Sequence, residues 1–476
     1  MGGALHKGAQ QIVAHENLVV HKMHQLCSKM HFYHRAISLG CNDRDQKPKN
    51  KGGEMKKSSS ITRRHLLKSG SAAAAATAIT SWTPHIARAA PPVQVLSSRY
   101  PALEYYADRI RKAVPGFPVE MQMMPFDKSL ELITIALSSK SQSVDMVYAT
   151  ESTFRTFAKN GWIRPLDDLW AKYKQEFNLD DVAESVLDLF RYNGKLYVMP
   201  FTTLEMFFFY RKDLFDQAGK QPPQTIAEYH SLAKQFNTPM RAGTIKCLKT
   251  GDSVLNESHW YISALGEGWF DADFKPIFHH DKGIQAIEAL KEVTAYAQPG
   301  YTAAANDECM IALQQDLAAM GPQWTSRALA MDDPNKSRVV GKFEWVPLPQ
   351  GGGKISMDGY CISSFSKQSP DDLFRILATA TSEESMRGAA SLMVPPRKAL
   401  LNDPELKAKY RYYPAALVAL QTGKPVPLIP EWYAVGDSIS RRIVQGITGQ
   451  TSVKEALQTA AQEAEVFLRD RGYYRG

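Results

Sequence analysis

The stretch YNGKLYVMPFTTLEMFFFYRKDLFDQAG, residues 192–219, combines a tight turn, apolar strand patterns and a short helix. Asn193-Gly194 is a pair that two-residue β-hairpin turns prefer, because both turn positions need φ above zero. The residues at 196–199 and at 205–210 predict two strands, and the second is strongly aromatic. A helix is predicted to follow over 210–219.

The residues before this stretch alternate between strand and helix patterns. Strands are predicted near 93–96, 119–123 and 144–147, and helices near 103–113, 130–137 and 154–160. Strands that alternate with helices favour an α/β lobe with a mainly parallel sheet. After the stretch, a strand and turn are predicted at 317–322 and a further strand at 355–362.

The composition is that of a globular protein with its basic charge in one segment. The chain has 476 residues, of which 44% are hydrophobic, and a formal net charge of +8. Residues 1–89 contain 14 basic and 4 acidic side chains, whereas the remaining 387 residues contain 43 and 45. The body of the chain is therefore almost neutral, and nucleic acid is not predicted as a partner. Its length favours two lobes over one core.

Residues 58–89 have the three parts of an export signal. Arg63-Arg64 precedes an Ala-rich apolar run from Ala72 to Trp82, and Ala87-Arg88-Ala89 is a small-x-small cleavage site. The adjacent arginines indicate the twin-arginine export machinery, with a mature chain that begins at Ala90. A basic amphipathic helix that arose by chance is the alternative. The apolar run is too short to span a bilayer.

Residues 1–54 show no periodic apolar pattern, although they contain six of the twelve histidines. The cysteines and histidines between 27 and 41 match no common zinc-finger spacing. Met55 is expected to be the true start. Residues 1–54 are then an over-early start and 55–89 the signal peptide, and neither belongs to the fold.

The common catalytic motifs do not occur after residue 89. The segment contains no HExxH, no GxSxG, and no GxGxxG after a strand, and Gly353-Lys354 is followed by Ile355 instead of a P-loop Ser or Thr. His279-His280-Asp281 is interpreted as a solvated turn. The cysteines at 247, 309 and 361 are odd in number and form no CxxC pair. No metal, cofactor or redox role is predicted.

Three stretches together resemble one known family. Residues 192–219 resemble the segment that crosses between the lobes of family 1 extracellular solute-binding proteins, the maltose-binding-protein-like receptors of ABC importers. Two further stretches are similar to that family: NGWIRPLDDL at 160–169, and PEWY at 430–433 followed by GQTSVKEAL at 449–457. The resemblance covers about residues 90 to 476, but the segments 240–262 and 396–428 depart from it.

The resemblance implies a two-lobed periplasmic-binding-protein fold, in which each lobe is a mainly parallel sheet flanked by helices. Lobe 1 would comprise 90–203 and 307–358, and lobe 2 would comprise 204–306 and 359–476. Crossing strands near 202–206, 304–308 and 357–361 would form the hinge. The implied protein is a monomeric periplasmic receptor, not an enzyme, that closes around a mono- or oligosaccharide or sugar alcohol and delivers it to an ABC importer's transmembrane permease.

The ends of the predicted strands and the crossing segments supply the candidate ligand-binding residues. A flat aromatic side chain covers the C–H face of a sugar, while polar side chains bind its hydroxyl groups. The resemblance assigns such stacking to the position of Trp432 and Tyr433, and Trp432 is the favoured contact. The full set is Ser97, Ser98, Asp127, Thr150, Glu151, Phe201, Glu205, Trp260, Trp324, Asp358, Tyr360 and Trp432. Helix caps and core packing are the ordinary alternatives for these residue types.

An exported carbohydrate-active enzyme is the second functional hypothesis. Glycoside hydrolysis needs two carboxyl groups on either side of the scissile bond. Asp127, Glu151 and Glu205 are the carboxylates that would supply such a pair.

Overall fold

The structure, a computed structural model, describes residues 91–474. The predicted export signal and residues 1–54 lie outside the described residues. The nine strands of this range are β1 Val93–Ser98, β2 Val119–Met124, β3 Met146–Thr150, β4 Arg191–Tyr192, β5 Lys195–Leu196, β6 Met199–Arg211, β7 Met320–Trp324, β8 Phe343–Pro347 and β9 Ile355–Ile362.

Helices occupy most of the remaining described chain. They are α1 Pro101–Lys112, α2 Phe126–Ser138, α3 Thr153–Lys159, α4 Asp167–Tyr173, α5 Glu184–Leu189, α6 Lys212–Gln217, α7 Ile226–Phe236, α8 Asp252–Leu265, α9 Asp281–Val293, α10 Asn306–Gln314, α11 Pro370–Ala380, α12 Glu383–Ala389, α13 Lys398–Leu401, α14 Pro404–Lys409, α15 Tyr413–Thr422, α16 Trp432–Ile447 and α17 Val453–Asp470. None of the helices within 91–474 combines the length and apolar character that crossing a membrane requires.

Seven strands form one sheet in the order β2-β1-β3-β9-β6-β7, and β8 also pairs with β6. Strand β1 pairs in parallel with β2 and with β3. These three strands are the first three that the sequence predicts. Strand β9 runs antiparallel to β3 and β6, and β6 runs antiparallel to β7 and β8. Helices and strands thus mix in one sheet-centred architecture, and the predicted α/β class is confirmed.

Strand β6 runs without a break from Met199 to Arg211, so it is longer than the strand predicted at 205–210. Of the other predicted strand, 196–199, Leu196 belongs to β5 and Met199 begins β6. All thirteen residues of β6 are buried. Polar residues at Thr202 and Thr203 break the apolar pattern, but β9 pairs with this part of the strand and satisfies its backbone. Pro200 is tolerated because the register with β9 shifts between Pro200 and Thr202, as at a β-bulge.

A glycine permits the close approach of β9 to β6 at this bulge. Gly359 lies opposite Pro200. A Cβ atom on Gly359 would come within 2.1 Å of the carbonyl oxygen of Met199, which is backbone and has no room to move. Any other residue at 359 would therefore push the two crossing strands apart.

Two turn and cap predictions are confirmed, and one is wrong. Asn193 and Gly194 have φ of 48° and 75°, as a type I′ hairpin turn between β4 and β5 requires. The Ser452 side chain accepts a hydrogen bond from the Glu455 backbone N–H at 3.1 Å, which completes a capping box at α17. Gly321-Pro322, predicted as a turn, lies inside β7, where Pro322 pairs with β6.

Packing groups the later segments differently from the expected lobe division. Strands β7 and β8, expected in lobe 1, pair with the part of β6 after residue 205. Helices α11 and α12, expected in lobe 2, pack against α1. Helices α16 and α17 pack against each other, α16 also contacts α8 and α9, and α17 contacts α9. The sequence patterns locate these elements but do not show which neighbour each of them meets.

Cys247 and Cys309 form a disulfide, and their Cα atoms are 6.2 Å apart. Among the described cysteines, Cys361 keeps a buried free thiol. The disulfide closes a loop with a sequence separation of 62 residues. A covalent link of this span removes much conformational freedom from the unfolded chain.

We expect replacement of both bridged cysteines, C247A/C309A, to lower the free energy of unfolding by about 2–4 kcal/mol. Urea unfolding of the oxidised parent and of the double variant measures this difference. A reductant should lower the stability of the parent and leave that of the double variant unchanged. Equal stabilities of parent and variant under oxidising conditions would contradict the expectation.

Candidate functional site

A cleft with a cavity of about 270 Å³ lies at the carboxyl ends of the parallel strands. The segments that follow β1, β2 and β3 line one side, and residues near 249–253 and 305–308 line the other. The floor comes from the crossing strands, through Leu204 of β6 and Ser356 and Asp358 of β9. Because these strands end at the same edge of the sheet, their terminal side chains converge there.

Five of the twelve predicted residues line this cavity. They are Ser98, Asp127, Thr150, Trp324 and Asp358. Two more lining residues, Phe126 and Tyr433, adjoin predicted ones at a strand end and at the stacking position. The sequence analysis did not select the rest: Arg99, Tyr100, Pro125, Tyr148, Leu204, Lys249, Asp252, Ser253, Ala305, Asn306, Asp307, Glu308, Arg327, Lys354 and Ser356.

Asp358 is the buried acceptor at the floor of the cleft. The Tyr100 hydroxyl donates to its Oδ2 at 2.5 Å and the Tyr148 hydroxyl at 2.8 Å, while the Ser356 hydroxyl oxygen lies 3.2 Å from Oδ1. Burial raises the pKa of Asp358 to about 6, against the lowering effect of the Tyr100 hydrogen bond. The carboxyl group is held in one orientation by the two tyrosine donors.

Aromatic side chains stand at two sides of the cavity. The rings of Phe126 and Tyr433 have centroids 5.8 Å apart, and both residues line the cleft. The Tyr433 hydroxyl donates to Asp252 Oδ1 at 3.4 Å. Trp324, at the end of β7, donates from its indole N–H to Asn306 Oδ1 at 3.2 Å. Flat apolar surface therefore lies beside polar groups, as a polyhydroxy ligand requires.

The structure does not bring Ser97, Phe201 and Tyr360 to the cleft. The Ser97 hydroxyl is 2.6 Å from the Tyr360 hydroxyl inside the core. The Phe201 ring meets the Tyr360 ring edge to face at 4.8 Å. All three side chains are buried, so their polar and aromatic groups serve packing behind the cleft.

Trp260 and Trp432 are also core residues. Trp432 is only 1% exposed and packs edge to face against Trp269, with centroids 5.4 Å apart. Trp260 donates from its indole N–H to the Pro349 carbonyl at 3.1 Å, and the Lys246 ammonium lies 5.2 Å from its ring. The ring faces that a sugar would cover are thus taken, and the residue beside Trp432, Tyr433, is the one that lines the cleft.

Glu151 and Glu205 are buried outside the cavity. Glu151 Oε2 accepts from the Ser356 hydroxyl at 2.8 Å and from the Met357 backbone N–H at 3.0 Å. Of the three carboxylates proposed for an enzyme, only Asp127 lines the cavity, and Lys249 lies 3.2 Å from its Oδ2. These three residues therefore do not supply a carboxylate pair to the cleft.

Glu205 faces away from the cleft because side chains alternate along β6. Leu204 lines the cavity, whereas Thr203 lies on the opposite face, where its hydroxyl donates to the Val394 carbonyl at 2.7 Å. Glu205 Oε2 accepts from the Thr325 hydroxyl at 3.1 Å, and Oε1 has no partner within the described part of the chain. Burial raises the pKa of Glu205 to about 7.

Comparison with known proteins gives one family match. The model of the family described as "Bacterial extracellular solute-binding protein" matches residues 95–387. A mannitol-binding protein of Pseudomonas aeruginosa is 24% identical over 379 residues, which are 72% of this chain and 84% of that protein. A probable amino-acid ABC transporter periplasmic-binding protein of Sinorhizobium fredii is 23% identical over 378 residues, covering 76% and 85% of the two chains.

A solved structure has the same fold. An ABC transporter solute-binding protein from Agrobacterium vitis S4, with bound D-mannitol, superposes with a TM-score of 0.73 at 21% sequence identity. The superposition covers 81% of this chain and 100% of that one. The likeness bears on the fold and confirms the two-lobed architecture class.

The raised pKa of Glu205 predicts how stability depends on pH. The native state holds the proton more tightly than the unfolded state, so stability is lost as pH rises from about 4.5 to about 7. We expect E205Q to be more stable than the parent at pH 8 by on the order of 3 kcal/mol, and to differ little at pH 4.5. Urea unfolding of both proteins at the two pH values measures this. A difference that does not change with pH would contradict it.

Proposed function

The chain belongs to the bacterial extracellular solute-binding proteins, and from that premise we propose that it captures a small carbohydrate, a monosaccharide or sugar alcohol, for an ABC importer. The observation that carries the proposal is the cleft at the strand ends, where Trp324 and Tyr433 stand beside Asp358 and other hydrogen-bonding groups. The mannitol named for one relative and for one solved structure points to the same class of ligand.

The charges of the cleft wall favour an uncharged ligand. Lys249 Nζ lies 3.2 Å from Asp127 Oδ2, and Arg327 Nη2 lies 2.8 Å from Asp307 Oδ1. The full lining contains four basic residues, with Arg99 and Lys354, and five acidic ones, with Asp252, Glu308 and Asp358, so the wall does not present one sign of charge to the ligand. A polyhydroxy compound needs hydrogen bonds and stacking but no countercharge.

The size of the cavity favours a small ligand over an oligosaccharide. A volume of about 270 Å³ lies just below the roughly 300–1,000 Å³ of pockets that hold drug-sized ligands. A sugar monomer or a linear polyol is of this order. A longer oligosaccharide would need the cleft to open.

We further propose that two lobes close around this ligand, with a boundary that follows the strand pairing. Lobe 1 holds β1, β2, β3, β9 and the first part of β6, together with α1, α11 and α12. Lobe 2 holds the second part of β6 with β7 and β8, together with α8, α9, α16 and α17. The ion pair of Asp127 with Lys249 and the contact of Phe126 with Tyr433 then join the lobes across the cleft.

The remaining features of the proposal concern the location and the partners of the protein. We propose that residues 55–89 direct export through the twin-arginine machinery, that signal cleavage after Ala89 leaves a monomeric periplasmic receptor, and that this receptor delivers its ligand to a transmembrane permease. It returns the ligand chemically unchanged, so it is not an enzyme. The exported carbohydrate-active enzyme loses support because its three carboxylates do not meet in the cleft.

A ligand panel tests the central proposal. We expect D-mannitol or ribitol to raise the melting temperature of the purified protein, because binding to the native state alone adds about 2.7 kcal/mol at 100 times Kd. Calorimetry should show Trp324→Ala weakening the same ligand roughly ten- to a hundredfold through lost stacking area. Small-angle scattering should show a smaller radius of gyration with the ligand bound.

Trp162→Ala is the matched control, because it removes an indole that does not line the cavity, and it should leave affinity unchanged. The panel also contains maltose and the common amino acids. Stabilisation by an amino acid and by no carbohydrate would contradict the proposal. Recovery of a cleaved or modified carbohydrate would favour the enzyme.

Export is tested separately. We expect the double substitution R63K/R64K to retain the precursor in the cytoplasm, because the machinery reads the arginine pair. Cell fractionation measures the location, and N-terminal sequencing of the exported parent should begin at or near Ala90. Normal export of the double-lysine variant would contradict the twin-arginine assignment.

A further inference from the structure

Lys354 is a buried cation at the floor of the cleft that the sequence motifs did not single out. The residue lies directly before β9, is 3% exposed and lines the cavity. Its carbonyl oxygen accepts from the Met206 backbone N–H at 2.9 Å. The preceding carbonyl, that of Gly353, accepts from the Lys424 backbone N–H at 2.9 Å. The backbone on both sides is thus fixed, and the side chain enters the cleft from a rigid base.

The ammonium group of Lys354 keeps its donors free. Within residues 91–474 its Nζ makes no hydrogen bond, and its nearest carboxylate oxygen is Asp252 Oδ1 at 3.7 Å. That separation exceeds the 2.7–3.2 Å of a direct N–H···O hydrogen bond. Nζ also lies 5.6 Å from the centre of the Trp324 ring. An ammonium group with three unused donors at the wall of the cleft can donate to a hydroxyl oxygen of a ligand.

Asp252 has a carboxylate oxygen that can accept a hydrogen bond, which complements the free donors of Lys354. It begins α8, and its Oδ2 accepts from the Asn256 side-chain amide at 2.7 Å. Its Oδ1 faces the cavity side, where its contacts are the long ones to Lys354 at 3.7 Å and to the Tyr433 hydroxyl at 3.4 Å. One carboxylate oxygen is therefore held in place, and the other retains room for a strong donor.

We propose that Lys354 and Asp252 act as a paired donor and acceptor that recognises a vicinal diol of the ligand above the Trp324 ring. One hydroxyl oxygen accepts from Lys354 Nζ, the adjacent hydroxyl donates to Asp252 Oδ1, and the indole covers the C–H groups between them. This inference rests on the proposed function and adds to it the residues that determine specificity.

The charge of the pair explains why two ionised groups suit a neutral ligand. Hydrogen bonds to ionised groups are shorter and stronger than those between neutral groups. Because the cation and the carboxylate are adjacent, each offsets the field of the other, and the ligand brings no charge of its own. An isolated hydroxyl would use only one member of the pair, so two neighbouring hydroxyls are preferred.

The test is a double-mutant cycle with D-mannitol as the probe and ribitol as the second probe. Lys354→Met and Asp252→Asn are each expected to weaken binding roughly ten- to a hundredfold, as expected when a buried hydrogen-bonding group loses its partner. The affinity of the double variant should be close to that of the single variant with the lower affinity. The effects of the two substitutions are coupled in this way because both groups bind the same diol. Lys354→Arg, which keeps the charge and the donors, should recover part of the affinity.

Lys112→Met is the control, because it removes an exposed lysine that does not line the cavity and has its own carboxylate partner, Asp108, and it should change affinity less than threefold. The melting temperatures of the ligand-free variants are also measured, because a residue with only a structural role would lower the melting temperature when it is replaced. If Lys354→Met does not fold, Lys354→Arg and Asp252→Asn still give the comparison with the parent.

Each outcome decides the proposal. Coupled losses of affinity with nearly unchanged melting temperatures of the ligand-free proteins support it. The proposal is overturned if the fold-losses of the two single variants multiply in the double variant, or if the variants bind as tightly as the parent. The carbohydrate function stands in both cases. If the parent binds no carbohydrate of the panel, the proposed function fails and this inference fails with it.

Discussion

Strand β6 hydrogen-bonds with β9 along its first half and with β7 and β8 along its second half. The positions of the other strands in the sheet depend on this shared strand. All its residues are buried, and Gly359 lets β9 approach it closely. The floor of the cleft is made from these same strands, through Leu204 and Asp358. The position of the ligand site therefore follows from the place where the chain crosses the sheet.

The wall opposite the parallel strands is held from behind by a second set of interactions. Lys246 and Glu257 form an ion pair of 2.9 Å that is buried, and Glu257 Oε1 accepts from the Cys247 backbone N–H at 3.0 Å. Cys247 is bridged to Cys309, whose helix carries the cleft residues 306–308. A buried ion pair adds little net stability but is costly to break. The arrangement ties both lining segments of this wall to one rigid base.

The sequence predicted most of the strands and helices correctly, but it predicted poorly which side chains point towards the cleft. Period-two and period-3.6 patterns located β1, β2, β9 and the first helices, because burial on one or both faces leaves that signature. In strands buried on both faces, however, every residue is apolar or paired, so nothing in the pattern shows which side meets the cleft.

The misplaced candidates show this physical reason residue by residue. Ser98 lines the cavity and Ser97 does not, Thr150 does and Glu151 does not, and Leu204 does where Glu205 was expected. A shift of one residue along a strand moves a side chain to the other face. On α16 the same happens between Trp432 and Tyr433, because each helical residue turns by about 100°. Contacts such as that of Lys354 with Asp252 join distant segments, and no local pattern reveals them.

The central place of β9 in the sheet also affects how the protein is made. Strand β9 lies between β3 and β6, yet about 200 residues separate the end of β3 from its start. A ribosome that adds on the order of 5–20 residues per second needs roughly 10–40 s to cover that distance. From its own synthesis until that of β9, each of β3 and β6 presents an unpaired edge, the kind of surface on which nascent chains associate wrongly. The sheet is completed only when a late segment inserts into its middle, so shielding of these two edges during synthesis is a requirement set by the topology itself.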